Sequence, residues 1–254
     1  MKVLVCVKRV PFTGGKMVLA ADSMSLETRH LGFTISPHEE CGVEEAVRLI
    51  EANSGESVVL TLGPAEAVEQ LRDAMALGID RAIHLQTGGE EFDGEATAAS
   101  IVDAIRSDEA ATGPFDLIFF GNESADSSGF QVGLRVARAL GRPAVTGLKG
   151  VKPEDGSVRC EQDVEDGRDV YLVPMPAVLS VKEGLNLPRY PSVPGRMRAG
   201  RKPVSTSTPS RPPARLELVR FVVPPGQGRG AEVLGSGVSA APAVVEMMRK
   251  IGVL

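Results

Sequence analysis

The residues with the clearest chemical potential lie in one polar loop, Gly121–Gly133, which follows an apolar run. Its small side chains would let a ligand approach the backbone, and Ser127, Ser128 and Gln131 could hydrogen-bond a ribose or a phosphate. Ligands of open parallel sheets bind beyond the carboxyl ends of the strands, where helix N-termini offer N–H groups to anions. The loop therefore predicts a nucleotide site. The alternative is that Ser127 or Ser128 only caps the next helix.

A second candidate segment is Ser36–Glu39, at the predicted start of a helix, and a third is the loop after Val7. Ser36 suits the N-cap position and Pro37 the first turn. His38 lies in a candidate ligand loop, although a histidine there is often only a solvated side chain. The acidic pairs Glu39-Glu40 and Glu44-Glu45 are expected on the helix surface, as partners of the positive end of the helix dipole.

Several catalytic classes lack their motifs. No Gly-rich dinucleotide fingerprint follows the first strand, because Gly14-Gly15 comes late and opens no helix, and no Walker A motif occurs. The histidines and cysteines are too scattered to form a metal or nucleophile cluster from sequence neighbours. These residues are His30, His38, His84, Cys6, Cys41 and Cys160. A nicotinamide-dependent dehydrogenase is therefore disfavoured.

Strands alternate with helices along the chain, which indicates crossover connections and a parallel sheet. We predict an α/β fold of three αβα layers with a mainly parallel, Rossmann-like sheet over residues 1–184. The predicted strands are 2–7, 57–62, 81–85, 117–120, 144–151 and 177–181, with a hairpin over 158–173. The predicted helices are 37–53, 65–77, 95–106, one ending at 140, and 242–251.

Charge is unevenly distributed in the 254 residues, whose net charge is −5. The stretch Leu185–Arg229 holds nine basic residues against one acid, and 9 of the 18 prolines. Such a composition predicts an extended arm that contacts a partner. Within it, Leu185–Pro194 combines three prolines with Leu187, Tyr190 and Val193. This pattern predicts a stiff protruding loop that loses little entropy on docking; the alternative is a plain linker.

Composition also bears on location and partners. No window approaches the ~18 apolar residues of a membrane span, and the N-terminus resembles a strand and carries no export signal, so a cytoplasmic protein is expected. Only 4% of residues are aromatic, which disfavours a nucleic-acid platform of stacked rings.

Six blocks of residues, spread over nearly the whole chain, form a pattern of which the last block is the most specific. They are Val3-Leu4-Val5-x-Val7-Lys8-Arg9-Val10; Ser36-Pro37 with Val43-Glu44-Glu45-Ala46-Val47-Arg48-Leu49; Gly63-Pro64; Ala76-Leu77-Gly78-x-Asp80-Arg81; Gly121-x4-Asp126-x4-Gln131-x-Gly133; and Pro176-Ala177-Val178 leading to Leu185-Asn186-x-Pro188-Arg189-Tyr190-x-x-x-Pro194. In these blocks the chain resembles the beta subunit of electron-transfer flavoprotein.

The resemblance implies a heterodimer with a larger alpha subunit that holds most of the FAD. The beta subunit would bind AMP, or a second FAD if the complex is electron-bifurcating. The complex would be an electron carrier, accepting electrons from flavin dehydrogenases and passing them to a quinone reductase or another acceptor. No catalytic residue, nucleic acid or membrane insertion is then expected. The alternative from another class is a stand-alone ATP- or AMP-binding protein of related fold.

The resemblance also assigns cofactor-binding positions. Ser36 and His38 depart from the Asn and Phe common in the family, and Glu39 would bring a carboxylate near a phosphate unless it turns away. The loop Gly121–Gly133 matches neither the family's AMP-binding pattern nor its electron-bifurcating pattern. The alternatives of AMP, FAD or no ligand at this site are therefore all kept, and AMP is preferred. The positions are Cys6, Ser36, Pro37, His38, Glu39, Leu62, Gly121, Asn122, Glu123, Ser124, Ala125, Asp126, Ser127, Ser128, Gly129, Phe130, Gln131 and Val132.

Partner-binding positions follow in the same way. The family's recognition loop corresponds to Tyr190–Met197, with Val193 as its apolar anchor beside Pro194. Asp163 falls where an acid is expected to tether a mobile flavin domain. Residues 185–254, which comprise this loop, the basic arm and the last helix, are expected to contact the alpha subunit.

Overall fold

The apolar runs of the sequence form the strands of a nine-stranded sheet in a computed structural model, which describes residues 1–14, 17–224 and 231–254. Gly15 and the predicted end of the basic arm at Arg229 lie outside the described residues. The strands of this sheet are β1 (Lys2–Cys6), β4 (Glu56–Gly63), β5 (Arg81–Gln86), β6 (Leu117–Gly121), β7 (Ala144–Glu154), β8 (Ser157–Val164), β9 (Gly167–Pro174), β10 (Ala177–Val181) and β11 (Val204–Ser207). A separate small pair consists of β2 (Val10–Pro11) and β3 (Phe33–Thr34).

The helices lie between these strands, as the alternating pattern predicts. They are α1 (Pro37–Asn53), α2 (Val68–Leu77), α3 (Gly94–Thr112), α4 (Val132–Leu140), α5 (Val193–Ala199) and α6 (Ala241–Lys250). Each of α1 and α3 has a capped N-terminus, from Ser36 and Asp93 respectively. The side-chain oxygens of these caps accept bonds from first-turn N–H groups that lack a partner within the helix.

The sheet has the order β11-β5-β4-β1-β6-β10-β7-β8-β9. All pairs from β11 to β7 are parallel, and β8 and β9 extend the sheet as an antiparallel hairpin. The central strand β1 pairs on one side with β4 and on the other with β6, so that Val3 lies opposite both Ser57 and Leu117. The predicted α/β class with a mainly parallel sheet is confirmed.

Two hydrophobic cores cover the two faces of the sheet. Because successive strand side chains point to opposite faces, Val5 and Phe119 pack toward α1 and α2, whereas Leu4 and Ile118 pack toward α3 and α4. The result is a three-layer arrangement. It brings the carboxyl ends of β1, β4, β6 and β10 to one edge of the sheet.

The basic, proline-rich stretch differs from the expectation of an extended arm, because residues 193–207 form α5 and β11. Ser192 caps α5 by accepting a bond from the Gly195 N–H, and β11 adds a parallel edge strand beside β5. By compactness the chain divides into Met1–Val219 and Arg220–Leu254, and the second unit contains α6. No helix in the described parts of the chain combines the length and apolarity needed to cross a membrane.

Candidate functional site

The predicted nucleotide loop follows β6 at the carboxyl edge of the sheet. The Ser36 hydroxyl, at the start of α1, donates to the Glu123 carbonyl oxygen over 3.2 Å. The Lys8 ammonium, just beyond β1, forms a 2.6 Å ion pair with the Asp126 carboxylate. Two segments far apart in sequence thus hold the loop in place.

The loop backbone is strained at two positions that carry side chains. Ser128 has φ of 45° and Phe130 has φ of 53°, in the left-handed region that non-glycine residues rarely occupy. Non-glycine residues in this region cluster at ligand-binding loops. The hydroxyls of Ser124 and Ser127 lie 2.9 Å apart, so either can donate to the other.

The N-terminus of α4 is open, because no side chain caps it. Gln131 occupies the N-cap position without a side-chain capping bond, and its Oε1 accepts from the Arg135 side chain over 2.9 Å. The alternative that Ser127 or Ser128 caps this helix is therefore wrong. The first N–H groups of α4 stay available to an acceptor.

The start of α1 is closed by a capping box. The Ser36 hydroxyl accepts from the Glu39 N–H, and the Glu39 carboxylate accepts from the Ser36 N–H over 2.9 Å. The other oxygen of Glu39 accepts from the Lys8 N–H over 2.9 Å. A Cβ on Gly121 would lie 2.7 Å from the Glu39 Cγ, so this carboxyl group lies directly beneath the end of β6. It is therefore turned inward. Burial raises the pKa of Glu39 to about 8, against the opposing effect of the N–H donors.

The predicted positions Cys6 and Leu62 lie at the ends of the adjacent strands β1 and β4. Cys6 is buried, whereas Leu62 is only partly covered. Burial, and then the neighbouring Glu39 charge, raises the pKa of the Cys6 thiol far above its ordinary value. The Cys6 thiol is therefore not a candidate nucleophile.

His38 is more than a solvated side chain. Its Nδ1 accepts from the Glu183 N–H over 2.7 Å, and its Nε2 lies 3.5 Å from a carboxylate oxygen of Glu123. Glu183 follows β10 and precedes the predicted docking loop. His38 thus contacts both the nucleotide loop and the segment that leads to the docking loop.

The predicted partner-binding residues lie elsewhere. We call residues 187–198 the docking segment; in it Tyr190 is 96%, Val193 73% and Met197 68% exposed, and Pro194 is also exposed. Asp163 lies on β8, where it forms a 2.9 Å ion pair with Arg168. The docking segment leads to β11 at one end of the sheet, and β8 lies near the other end. The structure therefore gathers the nucleotide positions but not the partner positions.

Two features differ from the sequence reasoning. Glu39, Glu44 and Glu45 are buried, which corrects the expectation that they lie on the helix surface. Glu44 pairs with Arg48 one turn along α1 and, more closely, with Arg189 in a distant segment that no local pattern identifies. Lys8 lies in the predicted candidate loop after Val7, but it was not itself proposed as a site residue.

The donors present at the loop suit the sugar and phosphate groups of a nucleotide. The serine hydroxyls and the open N-terminus of α4 can bind ribose and phosphate oxygens. The charge of Asp126 is offset by Lys8, and the Glu39 carboxyl group is turned away. Among the described residues, no cluster of three or more His, Cys, Asp or Glu side chains could hold a metal ion.

Comparisons with known proteins agree with this geometry. A family model described as "Electron transfer flavoprotein domain" matches residues 23–212. A protein named "Electron transfer flavoprotein subunit beta" from Syntrophomonas wolfei is 32% identical over 252 residues, covering 98% of this chain and 96% of that protein. One with the same name from Bacillus subtilis is 28% identical, covering 98% of both. "Electron transfer flavoprotein subunit beta, mitochondrial" from Arabidopsis thaliana is 34% identical, covering 82% of both. The chain therefore belongs to the electron transfer flavoprotein family, among its beta subunits.

Proposed function

We propose that this chain works in a heterodimer with an alpha subunit that holds most of the FAD. The complex accepts electrons from flavin dehydrogenases and passes them to a quinone reductase or another acceptor. Within the complex this subunit is an electron carrier component without a catalytic residue. It shapes the complex, binds a nucleotide and docks partners.

The observation that carries this proposal is the loop at the end of β6. The loop backbone is strained, the N-terminus of α4 is uncapped, and the Glu39 carboxyl group is turned inward. Polar donors are therefore available to a ligand, and little negative charge opposes the binding of a phosphate. AMP is the nucleotide we propose for it, held by the loop residues together with Ser36 and His38. FAD at the same loop would instead indicate an electron-bifurcating complex.

The docking segment supports the second part of the proposal. Three apolar side chains, those of Tyr190, Val193 and Met197, protrude into solvent from a proline-rich segment. We assign them to contacts with flavin dehydrogenases, with Val193 as the anchor. Asp163 on the β8–β9 hairpin is assigned to the flavin-bearing part of the alpha subunit. Residues 185–254 are assigned to contacts with that subunit.

The test is to denature the purified heterodimer and identify the released nucleotides by mass spectrometry. AMP with one FAD per heterodimer supports the simple carrier, and two FAD support a bifurcating one. ATP turnover by the isolated chain would instead favour the stand-alone nucleotide-binding protein. Failure of the chain to associate with an alpha subunit would refute the proposal.

A matched pair of variants locates the nucleotide. Ser127→Ala removes a hydroxyl from the loop, whereas Ser107→Ala removes one from the exposed surface of α3. The first should lower the nucleotide content of the purified heterodimer and the second should leave it unchanged. Equal contents in both variants would place the nucleotide elsewhere.

A further inference from the structure

The docking segment projects apolar side chains into solvent, yet it is attached to the sheet domain on both sides. Its prolines at 188, 191 and 194 restrict φ. Proline alone does not set the direction of the segment relative to the domain. Two groups of side-chain contacts, one on α1 and one on α2, do so.

The first clamp is formed by Arg189 and α1. The Arg189 guanidinium binds the Glu44 carboxylate through Nε at 2.9 Å and Nη2 at 3.0 Å. It binds Glu51 through Nη1 at 2.7 Å and Nη2 at 2.9 Å. The hydrogen bonds to Glu51 and Glu44 raise the pKa of Arg189 above its ordinary range. Such forked pairs fix the orientation of a guanidinium as well as its position.

This clamp also holds the backbone. The Arg189 backbone N–H donates to the Glu44 carboxylate over 3.1 Å. The side-chain amide of Asn186 donates to the Cys41 carbonyl oxygen over 3.0 Å and to the Glu45 carboxylate over 2.9 Å. Glu44 is buried, and a buried carboxylate without a partner is costly. The ion pair between Glu44 and Arg189 is therefore an integral part of the folded structure, unlike an ion pair on the exposed surface.

The second clamp joins α5 to α2 by reciprocal capping. Arg72 of α2 donates to the carbonyl oxygens of Ala199 and Lys202, at the C-terminal end of α5. Lys202 in turn donates to three carbonyl oxygens at the C-terminal end of α2, those of Met75, Gly78 and Ile79. A cation at a helix C-terminus satisfies carbonyl groups that have no partner within the helix. The end of α5 is thus capped by a cation of α2, and the end of α2 by Lys202, three residues beyond α5.

We propose that Arg189 and Lys202 are positioning residues that hold the docking segment in its binding shape before a flavin dehydrogenase arrives. This inference rests on the docking function proposed above. A segment held in advance does not lose its conformational freedom at the moment of binding, so the two clamps increase affinity without contacting the partner. Electron transfer within the complex, once formed, does not depend on them.

The test compares heterodimers carrying Arg189→Gln and Arg29→Gln. Purified flavin dehydrogenases from the source organism, each reduced with its own substrate, serve as electron donors, and the one that reduces the wild type fastest is used. Arg189→Gln should raise KM for the heterodimer by about tenfold, with kcat within about twofold and unchanged FAD content. Arg29 pairs with Glu27 on an exposed surface outside the docking segment, so its loss should change KM by less than about twofold.

A double-mutant cycle separates positioning from direct contact. If Arg189 acts only by positioning the apolar residues, Arg189→Gln should have a smaller effect on KM in a Val193→Ala background. Amide hydrogen exchange of residues 187–198 in the free heterodimer should rise in Arg189→Gln and in Lys202→Met. An unchanged KM, unchanged exchange, or full additivity with Val193→Ala would overturn the inference.

Three further outcomes each have a distinct meaning. If Arg189→Gln does not fold, Glu51→Gln removes only the exposed half of the first clamp and should show the same pattern with a smaller KM change. If Val193→Ala itself leaves KM unchanged, the proposed docking function fails, and the positioning inference fails with it. If Val193→Ala raises KM but neither clamp variant does, the docking function stands and only the inference is refuted.

Discussion

The Lys8 ammonium and the Asp126 carboxylate form an ion pair of 2.6 Å between the segment after β1 and the candidate nucleotide loop. Partial burial tends to raise the pKa of Asp126, but the charge and hydrogen bond of Lys8 prevail and hold it below its ordinary value. Asp126 is therefore ionised at neutral pH. Lys8 both anchors the loop and offsets a negative charge within the proposed nucleotide site.

Replacing Lys8 by methionine should weaken nucleotide binding. The variant leaves the Asp126 charge without its partner near the nucleotide, and we expect nucleotide affinity to fall by about three- to tenfold. The measurement is the nucleotide content of the heterodimer after dialysis, by mass spectrometry. Adding Asp126→Asn should restore part of the loss, whereas Lys152→Met, at an exposed position of β7, should have no effect. A loss that Asp126→Asn does not relieve would show that charge is not the cause.

Glu39 should make stability depend on pH. Burial raises its pKa to about 8 in the folded chain, above the ordinary value of 4.5. The folded chain thus keeps a proton that the unfolded chain releases, so this contribution is complete below pH 4.5 and is lost as pH rises through about 8. Glutamine cannot ionise and keeps one acceptor oxygen, but its amide nitrogen cannot accept the second of the two N–H groups that bind Glu39, which costs the variant a constant amount of stability at every pH. Relative to the wild type, Glu39→Gln should therefore gain stability as pH rises over this range, by up to about 1.4 kcal/mol per pH unit.

Urea unfolding of the two proteins at several pH values measures this difference. Glu66→Gln, at an exposed position ahead of α2, provides the control and should parallel the wild type. A constant difference between wild type and Glu39→Gln across the range would contradict the assignment of a buried, neutral carboxyl group.

Val193→Glu should slow reduction of the heterodimer by its donor dehydrogenase. Val193 is exposed in the free chain, so the substitution should not unfold it, but a carboxylate entering an apolar pocket loses its hydration without a partner. Because such anchors dominate binding energy, we expect a loss of kcat/KM of about 30-fold or more. FAD content should be unchanged, and Val193→Leu should keep most of the activity. Unaltered kinetics in Val193→Glu would make the segment a linker.

The parallel sheet could be predicted from sequence because each strand has its own local signal. Apolar runs such as Lys2–Cys6 and Leu117–Gly121 separate amphipathic stretches at crossover spacing. The strand β11 has no such signal. Its Ser and Thr residues resemble a loop, and it becomes a strand because β5 offers it an unpaired edge.

The candidate site was predictable in position but not in detail. Its loop follows from where parallel strands end, whereas the inward turn of Glu39 depends on N–H donors from both Ser36 and Lys8. The burial of Glu44 was unpredictable for a similar reason: Arg48 is a partner that the helix spacing could indicate, but the shorter ion pair is with Arg189, which lies far along the chain. The periodicity of a helix sequence shows which residues share a face. It does not show that a distant segment will bring a cation to that face.

Gly195 fits where no larger residue could, because α5 lies against the end of α2. A Cβ at this position would be 2.5 Å from the Ala76 carbonyl oxygen, so Gly195→Ala must displace α5 and should cost about 1–3 kcal/mol of stability. Gly200 ends the same helix, where a Cβ would make an ordinary 3.6 Å contact with the Met197 carbonyl oxygen at φ of −57°. Gly200→Ala should therefore be neutral or slightly stabilising. Urea unfolding compares the two, and equal losses would mean that the cost reflects backbone conformation in general rather than the contact between α5 and α2.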